Sequence, residues 1–221
     1  MMKKETVSTA LKADKEQWEK LAQTGEFDYH VNNKWRQSDD FMGQTHKLFD
    51  YFGFTPTSYS NKVVLDLGAG SKLRTKYFES AKIIAVEPLA SKFMDTISWS
   101  DLKDAYKVFS EPAENLIPEC VGAADLVISI NVLDHCFDFE VIVKNIFAYL
   151  KPGGYAFLSF DSHDVADEMH PLLLTKEICD SYFSDIGFQV EYYTQGFGGV
   201  IPENTYGHGP FALNYGLRKP N

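Results

Sequence analysis

Positive charge is what this chain lacks most: 21 lysines and arginines stand against 31 aspartates and glutamates in 221 residues, a formal net charge of -10. A phosphate backbone is held by a basic surface, so nucleic acid is not expected as a partner. Cysteine is scarce too. Cys120, Cys136 and Cys179 are widely spaced, form neither a disulfide framework nor a zinc signature, and read as reduced packing residues. No apolar run approaches the length that a bilayer demands, and Met1-Met2-Lys3-Lys4-Glu5 leads into mixed charge rather than a hydrophobic signal core. A cytoplasmic location without membrane contact is the expectation. There is no internal repeat and no low-complexity tract. With 44% hydrophobic content the chain can bury one substantial core. The economical division is an N-terminal helical extension over residues 1–60 and one domain over residues 61–221.

What is present centres on Val63-Val64-Leu65-Asp66-Leu67-Gly68-Ala69-Gly70. Val63, Val64 and Leu65 are apolar on both faces, as in a buried parallel strand, and Gly68 and Gly70 let the backbone turn and approach a ligand without a Cβ in the way. Asp66 falls near the carboxyl end of the strand, where open α/β sheets bind their ligands. A dinucleotide site wants a third glycine three positions beyond the second, but Leu73 stands there. Asp66 would also set negative charge beside a pyrophosphate, so a ligand with a cationic end suits the loop better.

Further strands follow in order. Ile83-Ile84-Ala85-Val86-Glu87 ends in a carboxylate able to accept two ribose hydroxyls, about twenty residues after the first strand. Residues 106–110 read as a third strand, followed by a loop with Glu111, Pro112, Ala113 and Glu114. Residues 124–130 form a fourth buried strand that opens into a polar cluster of Asn131, Asp134 and His135. Lys151-Pro152-Gly153-Gly154 reads as a helix stop and turn before a fifth strand ending at Asp161. Residues 187–193 and 211–217 look like a closing strand pair.

Before the first strand, Leu11, Trp18 and Leu21 are spaced for an amphipathic helix over residues 10–22, and Ser38 reads as the N-cap of a second helix reaching Tyr51. Between them lies an aromatic and polar segment with Tyr29, His30 and Trp35. Lys72, Arg74 and Lys76 read as a solvated helix face. The run His163, Asp164, Asp167, Glu168 and His170 matches no firm metal signature and reads as a solvated loop, so no metal is expected.

Asp66-x-Gly-x-Gly resembles the first motif of class I S-adenosylmethionine-dependent methyltransferases, and the later strands follow that superfamily's order over roughly residues 60 to 218. The resemblance implies a Rossmann-like, seven-stranded, mostly parallel α/β sheet with an antiparallel last strand, helices on both faces and an N-terminal helical lid. It implies S-adenosyl-L-methionine as cofactor and S-adenosyl-L-homocysteine as product, held by Asp66, Gly68, Ala69, Gly70, Glu87, Pro112, Ala113, Glu114 and Asn131. Glu26-x-x-Tyr29-His30 and Leu133-Asp134-His135-Cys136 resemble motifs of methyltransferases in bacterial carbohydrate and secondary-metabolite pathways. One departure is Lys72, where a third glycine often stands. By this resemblance, the lid residues Tyr29, His30 and Trp35, with His163 and His170, would meet a small-molecule acceptor. A hydroxyl acceptor benefits from a general base, for which His135, Asp134 and Asp161 are the candidates. An amine acceptor, a dinucleotide-dependent oxidoreductase and a non-catalytic module on the same fold are the alternatives.

Overall fold

Val64, Leu126 and Ile128 face one side of a sheet and Leu65, Leu67 and Val127 the other, which is why the apolar runs in the sequence have no polar face. The computed structural model describes residues 11–196 and 211–221. Its seven strands are β1 (Val63–Leu67), β2 (Lys82–Val86), β3 (Lys107–Phe109), β4 (Ala124–Ile130), β5 (Leu150–Ser162), β6 (Gln189–Gly196) and β7 (Phe211–Arg218). They lie in the order β3-β2-β1-β4-β5-β7-β6. The first five pair in parallel, and β7 runs antiparallel to both β5 and β6. This is the expected Rossmann-like sheet with its antiparallel closing pair. The strand order reverses between β1 and β4, and the crevice outside their carboxyl ends is where such sheets bind ligands.

Helices cover both faces. On one, α5 (Phe139–Tyr149) and α6 (Lys176–Ile186) bury Phe139, Ile142, Ile146 and Phe183 against the side bearing Leu65 and Val127. Asp138 caps α5 by accepting from Val141 N at 3.2 Å. On the other face, α3 (Asp39–Tyr51) buries Leu48 and Phe49 with Val64 and Ile128, and α4 (Ala90–Thr96) buries Phe93 with Ile83 and Ala85.

Three local expectations change. The helix expected over residues 10–22 starts outside the described residues at Ala10; within them it is α1 (Lys15–Lys20), broken at Leu21, after which α2 (Ala22–Asn32) carries most of the aromatic and polar segment. Ser38 flanks α3 but its hydroxyl donates to Trp35 O at 2.6 Å instead of capping the helix. Lys151-Pro152-Gly153-Gly154 lies within β5, where a bulge absorbs it: Leu150 pairs with Ala124 and Tyr155 with Leu126. Among the described residues no helix is long and apolar enough to cross a membrane.

Candidate active site at the carboxyl edge of the sheet

The loop after β1 is held by its glycines. Gly68 and Gly70 have φ of 75° and 65°, in the left-handed region that favours glycine. A Cβ on Gly68 would collide with the Val132 side chain, and one on Gly70 would come within 2.7 Å of His30 Cε1. Ala69 is buried beside Phe93. Glu87, at the end of β2, accepts from Gly70 N at 2.9 Å and from Leu89 N at 3.0 Å, which ties the second strand to the loop. Burial outweighs these bonds and pushes its carboxyl up to about 7. Asp66 is fully enclosed and accepts from the Thr75 hydroxyl at 2.7 Å, and burial pushes it up to about 6. It supports the loop from within and does not line the cleft.

A cleft opens at this edge, lined by Gly68, Glu87, Pro88, Ala113, Asn131 and His135 among others. Gln23 of α2 reaches it with a buried Oε1 that has no partner in the protein. The loop after β3 is fixed from below, because Asn145 Nδ2 donates to Ala113 O at 2.9 Å and Glu114 O at 3.0 Å. Pro112 sits in its turn, its carbonyl accepting from Asn115 N at 3.0 Å. Glu114 Oε1 accepts from Phe137 N and Asp138 N, Oε2 is orphaned, and burial pushes the acid up to about 7.

Asn131 ends β4 with φ 60°, a strained conformation for a side chain to adopt and a common feature of functional edges. Its Nδ2 lies 3.4 Å from His135 Nε2. On the other side of that ring, Nδ1 is 3.1 Å from Glu26 Oε1 of α2, an ionic contact out of line for a hydrogen bond. Burial would depress this histidine, but the charges of Asp134 and Glu26 prevail and raise it to about 9. His30 behaves oppositely: burial lowers it to about 4 against the pull of Glu26, and its Nδ1 accepts from Ser71 N at 3.1 Å. Asp134 is fully buried and its Oδ2 lies 3.1 Å from His163 Nε2. The His170 ring stacks on His163 at 4.3 Å and lies tilted to His135 at 4.5 Å. His163 and His170 thus turn inward from a loop whose Asp164, Asp167 and Glu168 remain exposed.

A second pocket shares Asn131 with the first and is lined by Tyr29, Trp35, Arg36, Arg74, Asn131 and Asp161. Burial is the main cause that raises Asp161, followed by the nearby Asp134. The Arg36 and Arg74 guanidiniums each lie 5.2 Å from the Phe41 ring. Arg36 Nε is buried without a partner, and burial together with the neighbouring Arg74 lowers this guanidinium to about 10. Arg74 therefore does not belong to a solvated face; Lys76 does lie outside, pairing with Asp101 and Asp104.

The structure thus gathers Gly68, Glu87, Ala113, Asn131, His135 and Asp161 around two pockets that share Asn131, while Asp66, Ala69, Glu114, His30 and Asp134 are buried and His163 and His170 are partly buried beside His135 and Asp134. Sequence reasoning missed Gln23, Pro88, Phe93, Arg36 and Arg74 as lining residues. For Glu26 a signal existed: Glu26 and His30 are four apart, hence on one face of a helix.

A family model described as a methyltransferase domain matches residues 34–194. The ubiquinone biosynthesis O-methyltransferase of Bordetella pertussis is 31% identical over 109 residues, covering 48% of this chain and 45% of that protein. The chain therefore spans less than half the length of the curated relatives it matches. Among solved structures, the Burkholderia thailandensis 1,6-didemethyltoxoflavin-N1-methyltransferase, with bound 1,6-didemethyltoxoflavin and S-adenosylhomocysteine, aligns with a TM-score of 0.64 at 16% identity, over 95% of this chain and 92% of that one. Phosphoethanolamine N-methyltransferase 2 of Haemonchus contortus, in complex with S-adenosyl-L-methionine, aligns at 0.62 and 15% identity, over 90% of this chain and 57% of that one. At such identities the likeness speaks for the fold.

Proposed function

The chain belongs to the methyltransferase-domain family and is a class I S-adenosylmethionine-dependent enzyme, and from that premise we propose that it methylates an oxygen of a small, polar, sugar-like or secondary-metabolite acceptor. The observation that carries this reading is the pair of lobes meeting at Asn131, one lined by the glycine loop and Glu87, the other by Tyr29, Trp35, Arg36, Arg74 and Asp161.

The first lobe fits the cofactor. Gly68 leaves no room for a Cβ, Gln23 offers an orphaned acceptor, and Glu87 presents a carboxylate for the ribose diol. In this reading the 68–70 backbone and Asn131 hold the methionine end, Asp66 braces the loop, and Pro112, Ala113 and Glu114 border the adenine. When bound, the cofactor supplies a methyl group already activated by a positive sulfur. The protein's part is to align the acceptor, exclude water and receive a proton.

Within the N-terminal extension assigned to residues 1–60, α2 and the turn after it, with Tyr29, His30 and Trp35, act as the lid. His163 and His170 close the acceptor side, while Asp134, His135 and Asp161 are the groups near which its proton leaves. Two adjacent guanidiniums in the acceptor lobe repel a cation, which favours a hydroxyl over a protonated amine. That charge distribution is the reason to prefer oxygen over nitrogen, although the two structural relatives above are named as N-methyltransferases.

The test is transfer of labelled methyl from S-adenosylmethionine to a panel of matched alcohols and amines, with S-adenosylhomocysteine release measured in parallel. Transfer to amines alone refutes the oxygen assignment.

A further inference from the structure

Methyl transfer alone does not account for three imidazole rings crowded on one buried carboxylate. Asp134 is fully buried, and its Oδ1 has no hydrogen-bond partner. A bare carboxylate oxygen in a protein interior is costly unless a cation reaches it. His135 and His170 gather around this carboxylate: one ligating atom from each of Asp134, His135 and His170 lies within 4.8 Å of the other two. His135 Nε2 and Asp134 Oδ2 are 3.7 Å apart. Two donors each about 2.0 to 2.1 Å from one tetrahedral ion would be separated by roughly 3.3 Å, so a small movement closes this pair on a metal.

Each of these three groups is also supported from behind. Asp167 Oδ1 lies 3.0 Å from His170 Nδ1, leaving Nε2 for a ligand, while Glu26 Oε1, 3.1 Å from His135 Nδ1 but out of line for a hydrogen bond, supports that ring by charge alone. His163 Nε2, 3.1 Å from Asp134 Oδ2, steadies the carboxylate. Carboxylates behind ligating imidazoles are the usual means by which proteins fix the tautomer and direction of metal-binding histidines. The donor set, two imidazoles and one carboxylate, suits a divalent first-row transition ion better than magnesium or calcium, which prefer oxygen alone. The ligands come from the turn after β4 and the loop after β5, far apart in the chain, so no spacing motif announces them.

We propose that Asp134, His135 and His170 bind one divalent transition ion of the zinc or cobalt type at the rim of the cleft. Its role rests on the oxygen-methylation reading above. When bound, the ion would supply a Lewis acid able to lower the pKa of an acceptor hydroxyl. The proton passes to water, an oxygen lone pair forms the bond to the methyl carbon, and the breaking carbon–sulfur bond leaves its electron pair on sulfur. The existence of the site does not depend on that role.

Protein treated with EDTA and dialysed is titrated with Co²⁺ and followed by visible d–d absorption, then challenged with Zn²⁺; the same samples are titrated with S-adenosylhomocysteine by calorimetry. Wild-type protein is expected to take up one Co²⁺ per chain and to release it to Zn²⁺. His170→Ala, in a loop where that side chain is 27% exposed, should lose stoichiometric uptake while still binding S-adenosylhomocysteine. Asp167→Asn should weaken metal affinity by about 10- to 100-fold. His46→Ala, on the exposed side of α3, should behave as wild type. No Co²⁺ uptake by wild-type protein that binds S-adenosylhomocysteine, or equal uptake by wild type and His170→Ala, overturns the site. If wild type takes up Co²⁺ and an equally folded His170→Ala, judged by circular dichroism, does not, while neither binds S-adenosylhomocysteine, the metal site stands and the cofactor reading fails.

Discussion

Replacing Glu87 with glutamine removes a buried charge while keeping the shape of the side chain, and the structure gives its consequences opposite signs with and without cofactor. Burial raises this carboxyl from an ordinary 4.5 to about 7. In the unfolded chain it ionises near its ordinary value, so between pH 4.5 and 7 the folded protein holds a proton that the unfolded one has lost. Stability associated with Glu87 is therefore fully present below about 4.5 and declines as pH rises through about 7. A shift of this size corresponds to about 3 kcal/mol at most. A glutamine in its place would not ionise, but its amide has one oxygen for the two donors Gly70 N and Leu89 N, and the lost bond costs about 1 kcal/mol. Cofactor-free Glu87→Gln should thus be about 1 kcal/mol less stable than wild type near pH 4.5 and roughly 2 kcal/mol more stable at pH 8.

Cofactor binding should reverse that preference. Ribose hydroxyls donate to the ionised carboxylate, so binding draws the proton off Glu87, and wild-type affinity for S-adenosylhomocysteine should increase by about tenfold per pH unit below 7 and level off above it. Charge-assisted hydrogen bonds contribute about 1.5 to 3 kcal/mol each, so Glu87→Gln should bind at least about tenfold more weakly at pH 8. Its pH dependence through this range should be flat. Urea denaturation and calorimetry at pH 5, 6, 7 and 8 measure both effects. Parallel pH profiles for wild type and variant would refute both the burial of this charge and its contact with the ribose.

The central strands and the glycine loop are legible because parallel strands buried on both faces leave continuous apolar runs such as Val63-Val64-Leu65 and Leu126-Val127-Ile128. The helix α2 is not, because only Ala22 and His30 are buried along it and no apolar stripe marks its period. Lys151-Pro152-Gly153-Gly154 carries every local sign of a turn, but the β-bulge accommodates it inside a strand, so tertiary pairing overrides local chemistry. Arg74 reads as solvated only on the assumption of a helix after the glycine loop; a 3₁₀ turn over Arg74–Tyr77 brings it over Phe41 instead. At the site, Glu87 and Asn131 follow directly from strand ends, whereas Arg36, His163 and His170 reach it from turns and loops whose direction no periodicity encodes.

Asp138→Ala removes the side-chain cap of α5 and should lower stability by about 1 kcal/mol, read as a denaturation midpoint, while S-adenosylhomocysteine affinity stays unchanged. Gly68→Ala should cost about 1 to 3 kcal/mol in stability, combining left-handed strain with the clash against Val132, and should weaken cofactor binding in calorimetry. Arg74→Ala tests the acceptor lobe. Arg36 and Arg74 line that lobe together with the carboxyl of Asp161, and at an effective dielectric near 20 a cationic acceptor about 5 Å from one guanidinium is repelled by it by about 3 kcal/mol. Removing one arginine should therefore raise the ratio of kcat/KM for amine over matched alcohol acceptors by about tenfold or more, even after discounting that interaction by half for solvent screening. Its cofactor affinity serves as the control, because a general collapse of the lobe would reduce both acceptors together. An unchanged amine-to-alcohol ratio in a variant that still binds S-adenosylhomocysteine would show that the guanidiniums do not select the acceptor's charge, and the preference for oxygen would lose its physical basis.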